Sequence, residues 1–227
     1  MIKAVLFDLD DTLYEEKKFI VSGFRKTAEY LSRKYKINSD RVFKILRDDF
    51  DGGLRRKNFD VLLKKLSIKE PVENLIKIYR EHLPLISLYP DAKVILKNLR
   101  SCGLKLGLIT DGYPATQRNK ISALGIRDFF EVITINDIEK GLSKKNEDSF
   151  KRTLSLLRVK TENTIYVGDN PLKDFFAAKK LGVITVRIKR KKGEYKNLRV
   201  SPPYEANYTI FSLLELEEII KILGQGN

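Results

Sequence analysis

Cysteine and histidine are almost absent from this chain. Its 227 residues hold one cysteine, Cys102, and one histidine, His82. A single cysteine excludes an intrachain disulfide and any zinc cluster built on cysteines. A single histidine excludes any mechanism that needs two imidazoles. No stretch approaches the roughly 18 consecutive apolar residues of a membrane span. The first ten residues offer only a short apolar run closed by carboxylates, so no secretory leader is expected. The expectation is a cytoplasmic protein with no membrane partner. No internal repeat and no low-complexity segment interrupts the chain.

Negative charge is also scarce. Asp and Glu number 30 against 44 Lys and Arg, a formal net charge of +14. The excess is local. Residues 14–86 carry 18 basic and 11 acidic side chains, and residues 187–200 carry seven and one. The rest of the chain is nearly neutral, at +1. Such surfaces attract anions, from small phosphorylated metabolites to polyanions, and composition does not choose among them. Apolar residues at 42% and charged residues at 33% describe an ordinary globular protein. The length suits one large domain, or one domain with a smaller insert.

Residues 3–7 read as a buried strand, because the run is continuously apolar after Lys3. From about residue 17 to 85 the spacing turns helical, first through Ile20, Phe24, Ala28, Leu31 and Tyr35. Val72, Leu75, Ile76, Tyr79 and Leu83 repeat it later. Strands and helices then alternate. Helices are expected at 90–102, 114–124, 145–157, 171–181 and 213–223. Strands are expected at 104–110, 131–135, 164–168, 183–188 and near 208–211. That alternation predicts an α/β fold, a Rossmann-like parallel sheet with right-handed crossovers. The expected division is a catalytic core of residues 1–13 and 87–227, with a small helical domain, 14–86, inserted after the first strand.

Parallel sheets build their sites at the carboxyl ends of strands. Asp8 and Asp10 follow the first strand, and Thr110 and Asp111 end the second. Gly168, Asp169 and Asn170 end the fourth, with Asp174 beyond. Lys144 precedes the helix expected at 145–157. Carboxylates converging on one crevice repel one another unless they take up protons or a cation. All-oxygen ligation favours magnesium.

This constellation resembles the haloacid dehalogenase superfamily, in its phosphatase branch with a helical C1-type cap. Four motifs carry the resemblance, in order: Asp8-Leu-Asp10-Asp-Thr12, the strand ending in Thr110, Lys144, and Gly168-Asp169-Asn-Pro-Leu-Lys-Asp174. It covers nearly the whole chain. One departure is Lys145, which stands where the family often has proline after the motif lysine; the spacing to Phe150 favours Lys144.

The resemblance implies roles. Asp8 is expected to be the nucleophile that forms an aspartyl phosphate. Asp10 is expected to be the general acid and then the base, with a raised pKa. Thr110 and Lys144 are expected to hold the phosphoryl oxygens. Magnesium is expected on Asp8, Asp169, Asp174 and, through its backbone carbonyl, Asp10. The insert is expected to cover the site and exclude water, which favours a small phosphorylated metabolite as the partner. Within it, Arg55 and Arg56, beside Gly52-Gly53, are candidate substrate residues, and Tyr14 is a candidate for the mouth. His82 is expected to be structural or a hinge, and Cys102 inert on a helix packed against the sheet.

The expected activity is therefore magnesium-dependent hydrolysis of a small phosphate monoester. A phosphomutase or other phosphotransferase would use the same site. A dehalogenase is disfavoured, since that chemistry needs neither metal nor the acid at Asp10. A basic protein that binds nucleic acid or a membrane surface is the alternative of another class. Nucleic acid is disfavoured, because 187–200 interleaves only Tyr195 among its cations and no nucleic-acid-binding motif is present. The sequence leaves open which ester is cleaved and the oligomeric state.

Overall fold

The computed structural model describes residues 1–225. Strand β1 (Ala4–Phe7) has all four residues buried, as a strand covered on both faces requires. It is followed by four helices: α1 (Glu16–Tyr35), α2 (Ser39–Asp51), α3 (Asn58–Leu66) and α4 (Val72–Glu81). Helix α5 (Pro90–Ser101) opens with Pro90, whose fixed φ suits a first helical turn. The remainder alternates: β2 (Lys105–Gly112), α6 (Pro114–Leu124), β3 (Val132–Asp137), α7 (Glu147–Leu157), β4 (Thr164–Gly168), α8 (Phe176–Lys180), β5 (Ile184–Ile188), β6 (Tyr208–Ile210) and α9 (Leu216–Gln225).

The six strands form one sheet in the order β3-β2-β1-β4-β5-β6, and every pairing is parallel. The order reverses at β1 and β4, so their carboxyl ends frame a crevice at the switch point. Alternation along β1 divides the core. Val5 and Phe7 pack with Ile95 and Leu99 of α5 and Leu216 and Ile219 of α9. Leu6 packs on the opposite face with Phe150 of α7 and Ala177 of α8. The inserted helices have their own apolar cluster, centred on Phe24, Leu31, Leu46, Leu62 and Leu75. Each fully buried leucine there contributes roughly 1.5–3 kcal/mol.

The helical spacing of the insert continues to Leu83, but α4 ends at Glu81. His82 is extended, at φ −64° and ψ 150°, and Pro84 disfavours a helical residue before it. Leu83 and Leu85 are consequently exposed. The helix read over 171–181 shortens to the five residues of α8. Residues before it turn instead, because the Asn170 side chain accepts from the Leu172 N–H at 3.0 Å and the Asn170 carbonyl accepts from the Asp174 N–H at 3.0 Å. Cys102 is exposed at the end of α5 rather than packed on the sheet. Among the described residues no helix is long and apolar enough to cross a membrane.

Candidate active site

β1 and β4 deliver Asp8 and Asp169 side by side at the switch point. Asp8 is 4% exposed, and its N–H donates to the Val167 carbonyl at 2.8 Å. Asp174 is fully buried on the turn after β4, where its carboxylate accepts from the Asn170 N–H at 2.9 Å and the Tyr166 hydroxyl at 3.1 Å. Gly168 is required beneath it, since a Cβ there would overlap that carboxylate. Asp8, Asp169 and Asp174 each offer an oxygen within 4.8 Å of the others.

Lys144 is the cation of this cluster. Its ammonium bonds the Asp8 carboxylate and lies 2.8 Å from Asp174. Asp111 fixes the loop that carries it, accepting from the Lys144 N–H at 3.0 Å, Ser143 Oγ at 2.9 Å and Asn136 Nδ2 at 2.8 Å. Lys145 is exposed. Burial opposes the charge of Lys144, but Asp174 and Asp8 outweigh it and hold its pKa well above the ordinary value. One ammonium among three carboxylates leaves negative charge in excess. Burial pushes Asp8 up to about 7 in spite of Lys144. Burial, then Asp174 and Asp8, pushes Asp169 well above the carboxylate range. Thr110 ends the buried part of β2, and its hydroxyl is buried with no hydrogen-bond partner among the described residues. Three oxygen donors of this charge fit a hard divalent cation.

Asp10 stands differently from expectation. Its carboxylate turns to Lys120 Nζ at 2.7 Å, to the Tyr14 hydroxyl and to Gln117 Nε2 at 3.3 Å. Burial favours the neutral form, but Lys120, Tyr14 and Gln117 prevail, and the pKa is lowered rather than raised. Its carboxylate is also not one of the three that cluster with Lys144. Tyr14 lies wholly inside the protein, committed to Asp10, and not at a mouth. Sequence reading missed Lys120, whose side chain is 4% exposed, and Glu16 at the start of α1. Burial, then Asp10, pushes Glu16 up to about 8. An apolar pattern in α6 gives no sign that position 120 faces inward, because Thr116, Gln117 and Lys120 fill its buried face.

Two spaces open here. A crevice of about 140 Å³ is lined by Asp8, Asp10, Lys144, Asp169, Lys173 and Tyr195, among others. A cleft of about 470 Å³ runs from Asp10 and Gln117 to the insert, where it meets Arg55, Arg56 and Tyr79. Arg55 donates to the Phe50 carbonyl at 2.6 Å, lies over the Phe50 ring and approaches Glu194 at 3.5 Å. The basic loop after β5 is therefore part of the site's wall. Arg187 gathers the Tyr195 and Leu198 carbonyls at 2.5 and 3.0 Å. Arg190 is buried against Tyr89, donates to the Thr12 carbonyl at 2.7 Å and pairs with Asp91 at 2.6 Å. Asp11, in the left-handed region at φ 50°, accepts from the Glu16 and Glu194 N–H groups at 2.9 and 3.1 Å. His82 bonds the Tyr79 carbonyl and Ser22, a structural place at the end of the insert.

The profile of a family described as haloacid dehalogenase-like hydrolase matches residues 5–188. A glyceraldehyde 3-phosphate phosphatase of Methanocaldococcus jannaschii is 38% identical, over 98% of this chain and 99% of its own. The pyrophosphatase PpaX of Halalkalibacterium halodurans is 31% identical, over 82% of this chain and 83% of its own. The crystal structure of a HAD phosphatase from Thermococcus onnurineus superimposes with a TM-score of 0.63 at 29% identity, covering 96% of this chain and 98% of that one.

Proposed function

The chain belongs to the haloacid dehalogenase-like hydrolases, and on that premise we propose that it is a magnesium-dependent phosphatase of a small phosphate monoester, working through an aspartyl phosphate. The observation that carries this reading is Asp8, buried beside Lys144 and two further carboxylates at the switch-point crevice. Asp8, Asp169 and Asp174 would hold magnesium, which when bound supplies positive charge that offsets the carboxylates and the phosphate.

The chain's own residues account for the rest. An Asp8 carboxylate oxygen attacks phosphorus, and the bond to the leaving oxygen breaks. Lys120 holds Asp10 as the carboxylate in the substrate-free protein, so the proton comes with the phosphate monoester monoanion: Asp10 takes it, passes it to the leaving oxygen, and then takes one from the water that cleaves the aspartyl phosphate. Lys144 and the unpartnered Thr110 hydroxyl face the phosphoryl oxygens. The division into a core of 1–13 and 87–227 and a cap of 14–86 gives the 470 Å³ cleft its two walls. A cleft of that size admits the leaving group of a metabolite. The relatives named for glyceraldehyde 3-phosphate and for pyrophosphate direct the choice of substrates to test.

The test is phosphate release from p-nitrophenyl phosphate, glyceraldehyde 3-phosphate, phosphoglycolate, sugar phosphates and pyrophosphate, with magnesium and with EDTA. Turnover that stops in EDTA and in Asp8→Asn, with an unchanged circular dichroism spectrum, is expected. Full activity in Asp8→Asn refutes the mechanism. Transfer to a sugar without phosphate release would make the protein a phosphomutase.

A further inference from the structure

We propose that Lys120 is a positioning residue that couples the helical insert to Asp10, and this rests on the phosphatase reading above. Lys120 sits on α6, a helix of the core, yet it is almost wholly buried. A lysine in that position is retained at a desolvation cost unless its charge is answered. Its ammonium is answered twice. One side meets the Asp10 carboxylate at 2.7 Å. The other lies 4.4 Å from the centroid of the Phe19 ring, and Phe19 belongs to α1 of the insert. One ammonium is thus shared between the carboxylate that handles protons and an aromatic face of the element that covers the site.

The neighbouring contacts make this a route between two bodies. One turn earlier on α6, Gln117 reaches the same Asp10 carboxylate. The same helix grips the far end of the insert: Thr116 Oγ1 donates to the Arg80 carbonyl at 2.9 Å, and Asn119 Nδ2 to the Glu81 carbonyl at 2.8 Å. Phe19 is held against α4 by edge-on contact with Tyr79, at 5.4 Å between centroids. Gly23 permits that packing, because a Cβ there would collide with the Tyr79 ring. A shift of the insert therefore moves Phe19, alters what faces the Lys120 ammonium, and changes how firmly Lys120 holds Asp10. The favourable cation–aromatic contact makes Phe19 a partner rather than a spectator.

Kinetics and stability of the full-length chain test this, with p-nitrophenyl phosphate as the probe. Lys120→Met should lower kcat about tenfold or more, with KM within about threefold, because alignment is lost while the phosphoryl site stays intact. Lys120→Arg should recover much of that kcat. Phe19→Leu should lower kcat less, and Phe19→Leu added to Lys120→Met should change little, since the two act through one contact. A second readout needs no activity. Asp10→Asn should lower Tm by about 5 °C or more by stranding a buried ammonium, and adding Lys120→Met should recover most of it. Wild-type kcat in Lys120→Met, fully multiplicative losses with Phe19→Leu, or additive Tm changes would each overturn the proposal while leaving the phosphatase reading in place. A wild-type chain inert toward every ester in the screen overturns the phosphatase reading, and this proposal with it.

Discussion

The carboxylate cluster should make the metal-free protein less stable as pH rises. The perturbation is a rise from pH 4 to pH 8 in EDTA. Asp8 is pushed from its ordinary 3.8 up to about 7 by burial, against the pull of Lys144. Below about pH 4 the carboxyl is protonated both folded and unfolded, and folding gains its full stability. Between about pH 4 and 7 the unfolded chain releases that proton while the folded chain keeps it, so stability falls. Above the folded value the loss is complete, at about 4 kcal/mol for a difference of this size. Asp169 is raised as well, so it adds a loss of the same sign. In a chain of this length that corresponds to about 8–16 °C in Tm.

The assay is thermal unfolding by circular dichroism across this pH range, in EDTA and in saturating magnesium. In EDTA, Tm should fall toward pH 8. Magnesium should restore it at pH 8 and have little effect at pH 4, because a cation takes over what the protons did. Glu16, raised to about 8, contributes with the same sign. His82, lowered by burial, acts oppositely and loses stability as pH falls through its ordinary value. His82 cancels when the wild type is compared with Asp8→Asn, and most of the Glu16 effect does too, since Asp8 is the smallest of the causes that raise it; the variant should be more stable at pH 8 in EDTA and should have a flatter profile. A wild-type profile no steeper than that of Asp8→Asn, or a magnesium effect equal at pH 4 and pH 8, would show that protons on Asp8 do not stabilise the metal-free fold.

Three further outcomes follow from single contacts. Thr110→Val keeps the shape of a buried side chain and removes an unpartnered hydroxyl, so Tm should hold or rise while kcat/KM falls about tenfold; a fall in Tm with unchanged kinetics would deny Thr110 a place at the phosphate. Arg190→Ala strips Thr12 of its guanidinium contact and Asp91 of its buried pair, which should cost about 2–4 kcal/mol by urea denaturation. Gly168→Ala forces a methyl group into the place of the Asp174 carboxylate. It should abolish turnover and the magnesium-dependent gain in Tm, and a fully active variant would show that Asp174 can move aside without consequence.

Much of the fold was legible because its signals are local. The unbroken apolar run before Asp8 and the stops at Gly103, Gly125 and Gly182 mark elements by residue type alone. Helix α6 runs over 114–124, as its proline start and glycine stop imply. The shortened α8 was not legible, because Asn170 and Asp174 bend the chain through side-chain bonds that hydrophobic spacing does not encode. The end of α4 was missed for a related reason: Leu83 keeps the period, but Pro84 and the extended His82 break the helix.

The site divides in the same way. Order and spacing along the chain determined that Asp8, Thr110, Lys144, Asp169 and Asp174 stand at strand ends or on the loops beyond them, since each follows an element that the sequence announces. Composition determined that excess charge lies on the insert and on residues 187–200. Only the tertiary structure decided what those groups meet. It set Lys120 against Asp10, reversing the expected direction of the Asp10 pKa. It turned Tyr14 inward, and it spent two cations of residues 187–200, Arg187 and Arg190, on backbone carbonyls and a carboxylate. Residues 110 positions apart come to lie within hydrogen-bond distance. A pKa follows from those neighbours and from burial, which are properties of the packed chain and not of any residue's place along it.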